Sequence, residues 1–140
     1  MRRFVIAGAL AAIGAAAIAL PASGAQSIVF HVDAVHNGSS HLNGRVLTFR
    51  SHLVRHGDRD DVIGHTKGRC RILSRKKAHC KVVYFFRQGK VKTDGRVFFR
   101  RERERQPVIG GTRAFNGVGG KVIVSDERSH VTHLTFFLIK

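Results

Sequence analysis

From Ile28 to the end of the chain, apolar and polar residues alternate with a period of two over stretch after stretch. In the first stretch Ile28, Phe30, Val32 and Ala34 share one face, while Val29, His31, Asp33 and Val35 share the other. Successive side chains of an extended backbone point to opposite sides, so this pattern predicts a strand. Asn37-Gly38-Ser39-Ser40 then supplies turn chemistry. A second strand is predicted over Arg45 to Val54, with Leu47, Phe49, Ser51 and Leu53 set against Arg50 and His52, and His56-Gly57-Asp58 reads as the next turn.

The segment from Val62 to Leu73 places Gly64, Thr66, Gly68, Cys70 and Ile72 together. His65, Lys67, Arg69 and Arg71 form a solvated cationic stripe on its other face. Small residues facing inward suit a tightly curved sheet. After the polar loop Ser74-Arg75-Lys76-Lys77, the strand from His79 to Phe86 carries Cys80, Val82, Tyr84 and Phe86 on one face. A hairpin centred on Arg75 sets Cys70 directly opposite Cys80. Paired strands bring such Cβ atoms within disulfide reach, so a structural bridge is expected, with a stabilisation of about 2–3 kcal/mol for so short a loop.

Arg87 to Lys90 turns the chain into a strand over Val91 to Phe99, interrupted by Gly95. Arg100 to Arg105 alternates in charge sign and reads as a solvated loop or strand end. Val108 to Gly120 holds five of the fifteen glycines, far too many for a helix, where each interior Gly costs about 1 kcal/mol relative to Ala. No Gly-Lys-Ser/Thr follows, so it is a poor phosphate loop. Lys121 to Ser125, a turn at Asp126-Glu127-Arg128 and a strand from His130 to Ile139 complete the chain. Helical spacing is absent beyond the first 25 residues. About eight strands at short spacing close as an up-and-down barrel or stack as a two-sheet sandwich.

The leading segment changes the picture. Arg2 and Arg3 precede an uncharged run from Phe4 to Leu20, Pro21 breaks it, and Ser23-Gly24-Ala25 is a small-x-small cleavage site. The run falls short of the roughly 20 residues that span a bilayer. Residues 1–25 are therefore expected to be a signal peptide cleaved after Ala25, leaving a secreted domain over 26–140 with no membrane span. An even cysteine count in an exported chain favours the disulfide. Loss of Arg2 and Arg3 lowers the net charge from +16 to +14. For an exported chain, that excess points to anionic cell-surface polymers or anionic lipid, or to colloidal stability, and not to nucleic acid.

Ile109-Gly110-Gly111-Thr112-x-x-Phe115 resembles the Gly-Gly-Thr-Gly-x-Phe signature of dirigent and allene oxide cyclase barrel proteins. Phe30-His31-x-Asp33 is similar to the His-Asp dipeptide of the dirigent first strand, with one residue inserted. Gly64-x-x-x-Gly68-x-Cys70 with Cys80 is similar to the second hairpin of bacterial members, and Gly89 to Gly95 resembles a further family strand. The resemblance implies an all-β, eight-stranded antiparallel barrel, often trimeric, that needs no cofactor. It also implies a small apolar or unsaturated ligand in the lumen, with isomerase (cyclase) activity as in the plant proteins. Where the family motif continues with Arg, this chain has Asn116 and Val118, which leaves Arg113 as the substitute cation.

On this basis Asp33 and Tyr84 are the candidate catalytic residues. Buried in the lumen without a partner, Asp33 would have a raised pKa and act as a general acid or electrostatic stabiliser; the alternative is a rim residue bonded to a neighbouring strand or loop. The Tyr84 phenol could donate to a ligand oxygen. Phe49, Phe86, Phe99 and Phe115 are candidate lumen residues, and Gly110, Gly111, Thr112 and Phe115 form the structural motif. Val83, Phe85 and Phe98 on outer faces are candidates for a trimer contact. Of nine histidines, none forms His-Glu-x-x-His, and His31 with Asp33 makes only a two-ligand set, so no metal site is expected.

Overall fold

A computed structural model describes residues 25–126 and 130–140. Residues 1–24 of the segment expected to be a signal peptide lie outside these residues, as does most of the turn expected at Asp126-Glu127-Arg128. Eight strands are present: β1 (Ser27–Asn43), β2 (Val46–Arg55), β3 (Asp58–Ile72), β4 (Lys77–Phe86), β5 (Gly89–Phe98), β6 (Arg103–Gly111), β7 (Gly119–Asp126) and β8 (Val131–Ile139). Each pairs antiparallel with its neighbours in sequence, and β8 returns to β1 over Ser27–Val35 against Val131–Ile139. The result is a closed barrel and not the two-sheet sandwich. Closure leaves no exposed sheet edge.

The period-two pattern becomes an inside and an outside. Val32, Ala34, Leu53, Val82, Val91, Val122, Leu134, Phe136 and Leu138 are buried inward, and the intervening residues of each strand face out. Cys70 and Cys80 are register partners in the β3–β4 hairpin and form the expected disulfide, with Cα atoms 4.0 Å apart. Both cysteines are buried.

Two local expectations are corrected. The chain does not end its first strand at Asn37. β1 continues to Asn43, with its register against β2 shifting between His36 and Ser40, so the turn residues produce an irregularity and not a reversal. The charge run is also not wholly solvated. Arg103 to Arg105 opens β6, and strand alternation turns Glu104 inward, where it is 9% exposed.

The Gly-Gly-Thr motif closes one end of the barrel. Thr112 N–H donates to the Lys90 carbonyl (3.0 Å), and Lys90 N–H donates to Thr112 Oγ1 (3.1 Å), which pins the end of β6 to the start of β5. A single turn of 3-10 helix, Arg113–Phe115, then drops the buried Phe115 ring onto the barrel end. Gly111 has to be Gly, since a Cβ there would lie 2.5 Å from both the Lys90 and the Phe115 carbonyl oxygens.

Candidate functional site

The two halves of the lumen differ. At the end nearest Phe115, Phe30 stacks on Phe136 with ring centres 4.7 Å apart, and Phe86 meets Phe136 edge-on at 5.6 Å. Phe115 lies 5.9 Å from Phe86 and 6.4 Å from Phe30. These rings form a solid plug. Phe86 and Phe115, expected to line a pocket, are part of that plug and not of the cavity wall. Aromatic rings of this size bury large areas and prefer such stacked and edge-on geometries, which makes the plug a stable floor.

Above the plug lies a cavity of about 390 Å³. Its walls include Leu47, Phe49, Val82 and Leu134, the disulfide Cys70–Cys80, and Tyr84 next to the plug. Phe98, Phe99 and Arg101, from the end of β5 and the β5–β6 loop, lie at its mouth. Phe49 therefore faces the cavity as expected. Its ring lies flat across Gly68 on β3, where a Cβ would come within 2.1 Å of it. Phe99 lines the entrance and is half exposed.

Polar groups are few and placed at defined points. His36 Nδ1 is bonded with Ser51 Oγ (3.1 Å), and His36 Nε2 with Thr132 Oγ1 (3.0 Å). Across the lumen, Glu104 Oε1 accepts from Phe98 N–H (2.9 Å), and Gln106 Nε2 donates to the Arg96 carbonyl (3.2 Å). These two side chains stand in for a backbone ladder. The β5–β6 pairing runs from Val91–Thr93 against Val108–Gly111, and beyond it Pro107 has no N–H to give. Thr66 Oγ1 and Gln106 Oε1 are buried, border the cavity and have no hydrogen-bond partner among the described residues. A buried acceptor without a partner carries a desolvation cost of about 1–3 kcal/mol, which a ligand donor would relieve.

Tyr84 is 3% exposed. Burial pushes its phenol well above the ordinary value, and the neighbouring Thr93 hydroxyl opposes this only in part. The phenol thus stays protonated across the physiological range. It can donate a hydrogen bond but cannot serve as a base.

Asp33 is not in the cavity. Val32 and Ala34 point inward, so the pleat turns Asp33 to the outer surface of the wall. It is nonetheless only 5% exposed, because the β2–β3 turn folds over it. His56 Nδ1–H donates to Oδ1 (2.9 Å), His133 Nδ1–H donates to the same oxygen, and Gly57 N–H donates to Oδ2 (3.2 Å). Burial pushes the carboxyl pKa up, but the bonds from His56, His133 and Gly57 outweigh it and hold the group below its ordinary value. The expected raised pKa of a lumenal acid is thus corrected in both place and direction. Spacing along the strands offers only the two-ligand pair His31 and Asp33, short of a metal-ligand set. The fold gathers one by bringing a turn and the last strand to Asp33.

No family model matches the sequence, and no curated protein matches it. Solved structures do match the fold. A pterocarpan synthase dirigent protein superposes with a TM-score of 0.70 at 13% identity, over 82% of this chain and 88% of its own. A pyocyanin demethylase gives 0.67 at 15% identity, over 79% of this chain and 99% of its own. The chain folds as a dirigent-like barrel. A nonspecific heme-binding cyclase that catalyses a (4+2) cycloaddition in neoabyssomicin biosynthesis gives 0.64 at 18% identity, over 84% and 68%. At these identities the likeness is one of fold.

His36, Ser51, Thr66 and Gln106 were not singled out from the sequence. Alternation alone was enough to place His36 on the face of Val32 and Ala34, and Thr66 on that of Cys70. What it did not show was that this face of the dirigent-like barrel encloses a void. Val83 and Phe85 are half-buried on the outer wall, where Phe85 stacks on His65 (4.5 Å) and lies beneath Lys67 and Lys90. Phe98 sits under the Arg101 guanidinium at 4.2 Å.

Proposed function

We propose that this dirigent-like barrel binds one small, mainly apolar, unsaturated molecule in the cavity above the aromatic plug and holds it folded for an intramolecular cyclisation or isomerisation. The observation that carries this reading is the cavity itself, at about 390 Å³ with apolar walls and two unpartnered buried oxygens. That volume lies within the roughly 300–1,000 Å³ of ligand pockets, which pair apolar walls with a few placed polar groups. Thr66 Oγ1 and Gln106 Oε1 would accept from a ligand hydroxyl or N–H, and Tyr84 would donate to a ligand carbonyl. Catalysis of this kind draws on confinement and orientation and consumes no cofactor. The resemblance to dirigent and allene oxide cyclase proteins supports the same substrate class, as do the activities named for the solved neighbours.

A neutral hydrophobic fluorophore such as N-phenyl-1-naphthylamine tests the cavity. The chain over residues 26–140 is expected to bind one equivalent, and Val82→Trp, which fills the void, is expected to weaken binding at least about 100-fold while the protein stays folded by circular dichroism. A folded Val82→Trp protein that binds like the wild type would remove the lumen as the site.

The outer wall supports a second reading. Lys67, Arg69, Arg71 and Lys81 are exposed on β3 and β4, with Arg50 beside them on β2, and Asp94 is the nearby acid, bonded to His79 and 4.0 Å from Lys81 Nζ. Like charges directly opposite each other, as in Arg69 and Lys81, destabilise a bare sheet and favour an anionic partner. Retention on heparin should fall sharply between about 50 and 200 mM salt, and Arg69→Ser with Lys81→Ser should elute earlier. Unaltered elution of that double variant would dismiss this wall as the polyanion contact. We place the self-association that the resemblance implies not at Val83, Phe85 and Phe98, which are half-buried, but on the opposite wall, where Val29, Ile109, Phe137 and Ile139 are exposed.

A further inference from the structure

We propose that Asp33, His56 and His133 form a site for one divalent transition-metal ion of the zinc class on the outer wall of the barrel. The three residues come from separate parts of the chain. Asp33 and His133 are register partners across the β1–β8 seam that closes the barrel, and His56 arrives from the β2–β3 turn. One ligand atom from each lies within 4.8 Å of the other two, close enough for small side-chain rotations to bring all three onto a single ion. Both histidines present Nδ1 to the same carboxylate oxygen.

The surroundings fit a built ligand set. Gly57 N–H holds the second carboxylate oxygen at 3.2 Å, an outer contact of the kind that fixes the orientation of a metal ligand. Asp33 is almost fully buried, whereas the side chain of His56 is about half exposed, so the cluster has a closed floor and an open side. Arg55, the residue before His56, is bonded to Asp61 at 2.5 Å. His31 lies on the same outer face with its ring centre 5.9 Å from that of His56, close enough to supply a fourth ligand after a side-chain rotation.

The donor chemistry selects the ion. Two imidazoles with one carboxylate suit Zn²⁺, Cu²⁺, Ni²⁺ or Fe²⁺, whereas Mg²⁺ and Ca²⁺ take oxygen ligands. Three protein ligands leave a position for water or for His31. An ion here would tie the β2–β3 turn to the seam between β1 and β8. Because the ligands converge only in the folded barrel, binding would favour the folded state. The site lies on the far side of the β1 wall from the cavity and stands independently of the lumenal reading.

Titration of the chelator-stripped chain with Zn²⁺, followed by calorimetry and thermal melting, tests this. One equivalent is expected to bind, with a rise in melting temperature of several degrees. His56→Ala and His133→Ala are each expected to lower the affinity at least about tenfold and to abolish the thermal shift. His41→Ala, at an exposed position on β1, should leave both unchanged. His56 sits at an exposed turn, so its variant is expected to fold even where Asp33→Asn does not. Absence of saturable uptake, or binding by His56→Ala equal to wild type, would overturn the site.

Discussion

Replacing Phe136 with Ala is expected to cost about 3–5 kcal/mol and to lower the melting temperature by roughly 10–20 °C. Phe136 has no exposed surface, stacks on Phe30, and meets Phe86 and Tyr84 edge-on. Three further rings rest on it, Phe30 from β1 and Tyr84 and Phe86 from β4, so none can collapse into its space without losing its own contacts. The cost is therefore a transfer term plus a cavity term. The same truncation would extend the cavity downward, since Tyr84 lines that cavity and touches Phe136. Phe137→Ala is the control, one residue along and facing outward at 36% exposure, and it should cost about 1 kcal/mol or less. Comparable losses for the two in chemical denaturation would mean that the plug is not the barrel's main support.

Gly120→Ala is expected to destabilise the barrel by at least about 3 kcal/mol, whereas Gly119→Ala should change it by no more than about 0.5 kcal/mol. Gly120 has φ +110, and a Cβ there would lie 2.0 Å from the Phe137 carbonyl oxygen of β8. That oxygen belongs to a paired backbone, so it cannot move aside as a side-chain tip could. Gly119 has neither problem, with nothing within 4 Å of its would-be Cβ. Equal melting temperatures for the two variants would show that the β7–β8 pairing tolerates the shift and that the glycine is not structurally required.

These two glycines illustrate the limits of what was legible. The run of glycines announced close backbone approaches, yet only the β7–β8 register singles out Gly120. Hairpin symmetry around Arg75 was enough to pair Cys70 with Cys80, because a local antiparallel register depends only on the turn. Phe49, Phe86 and Phe115 were legible as inward-facing, whereas Phe30 and Phe136 were not. The division of these rings into plug and cavity wall was not legible either, since it depends on height along the barrel axis, and height is set by the stagger of strands distant in sequence. Glu104 shows the same point from the polar side. Its charged neighbours suggested solvent, and only strand alternation within a closed barrel turns it inward to accept from Phe98.

The sequence by itself determined seven of the eight strands (all but β6), their two faces, the disulfide and the chemical contrast between a small-residue interior and a cationic exterior. Each of these depends on alternation or on neighbours within one hairpin. Tertiary structure decided which face of β1 is the inside, and so moved Asp33 from the lumen to the outer wall. It also decided that His56 and His133 meet there and that the lumen is filled at one end and open above. Those outcomes depend on where β8 closes on β1, a pairing separated by about a hundred residues, and no periodicity within a single strand encodes it.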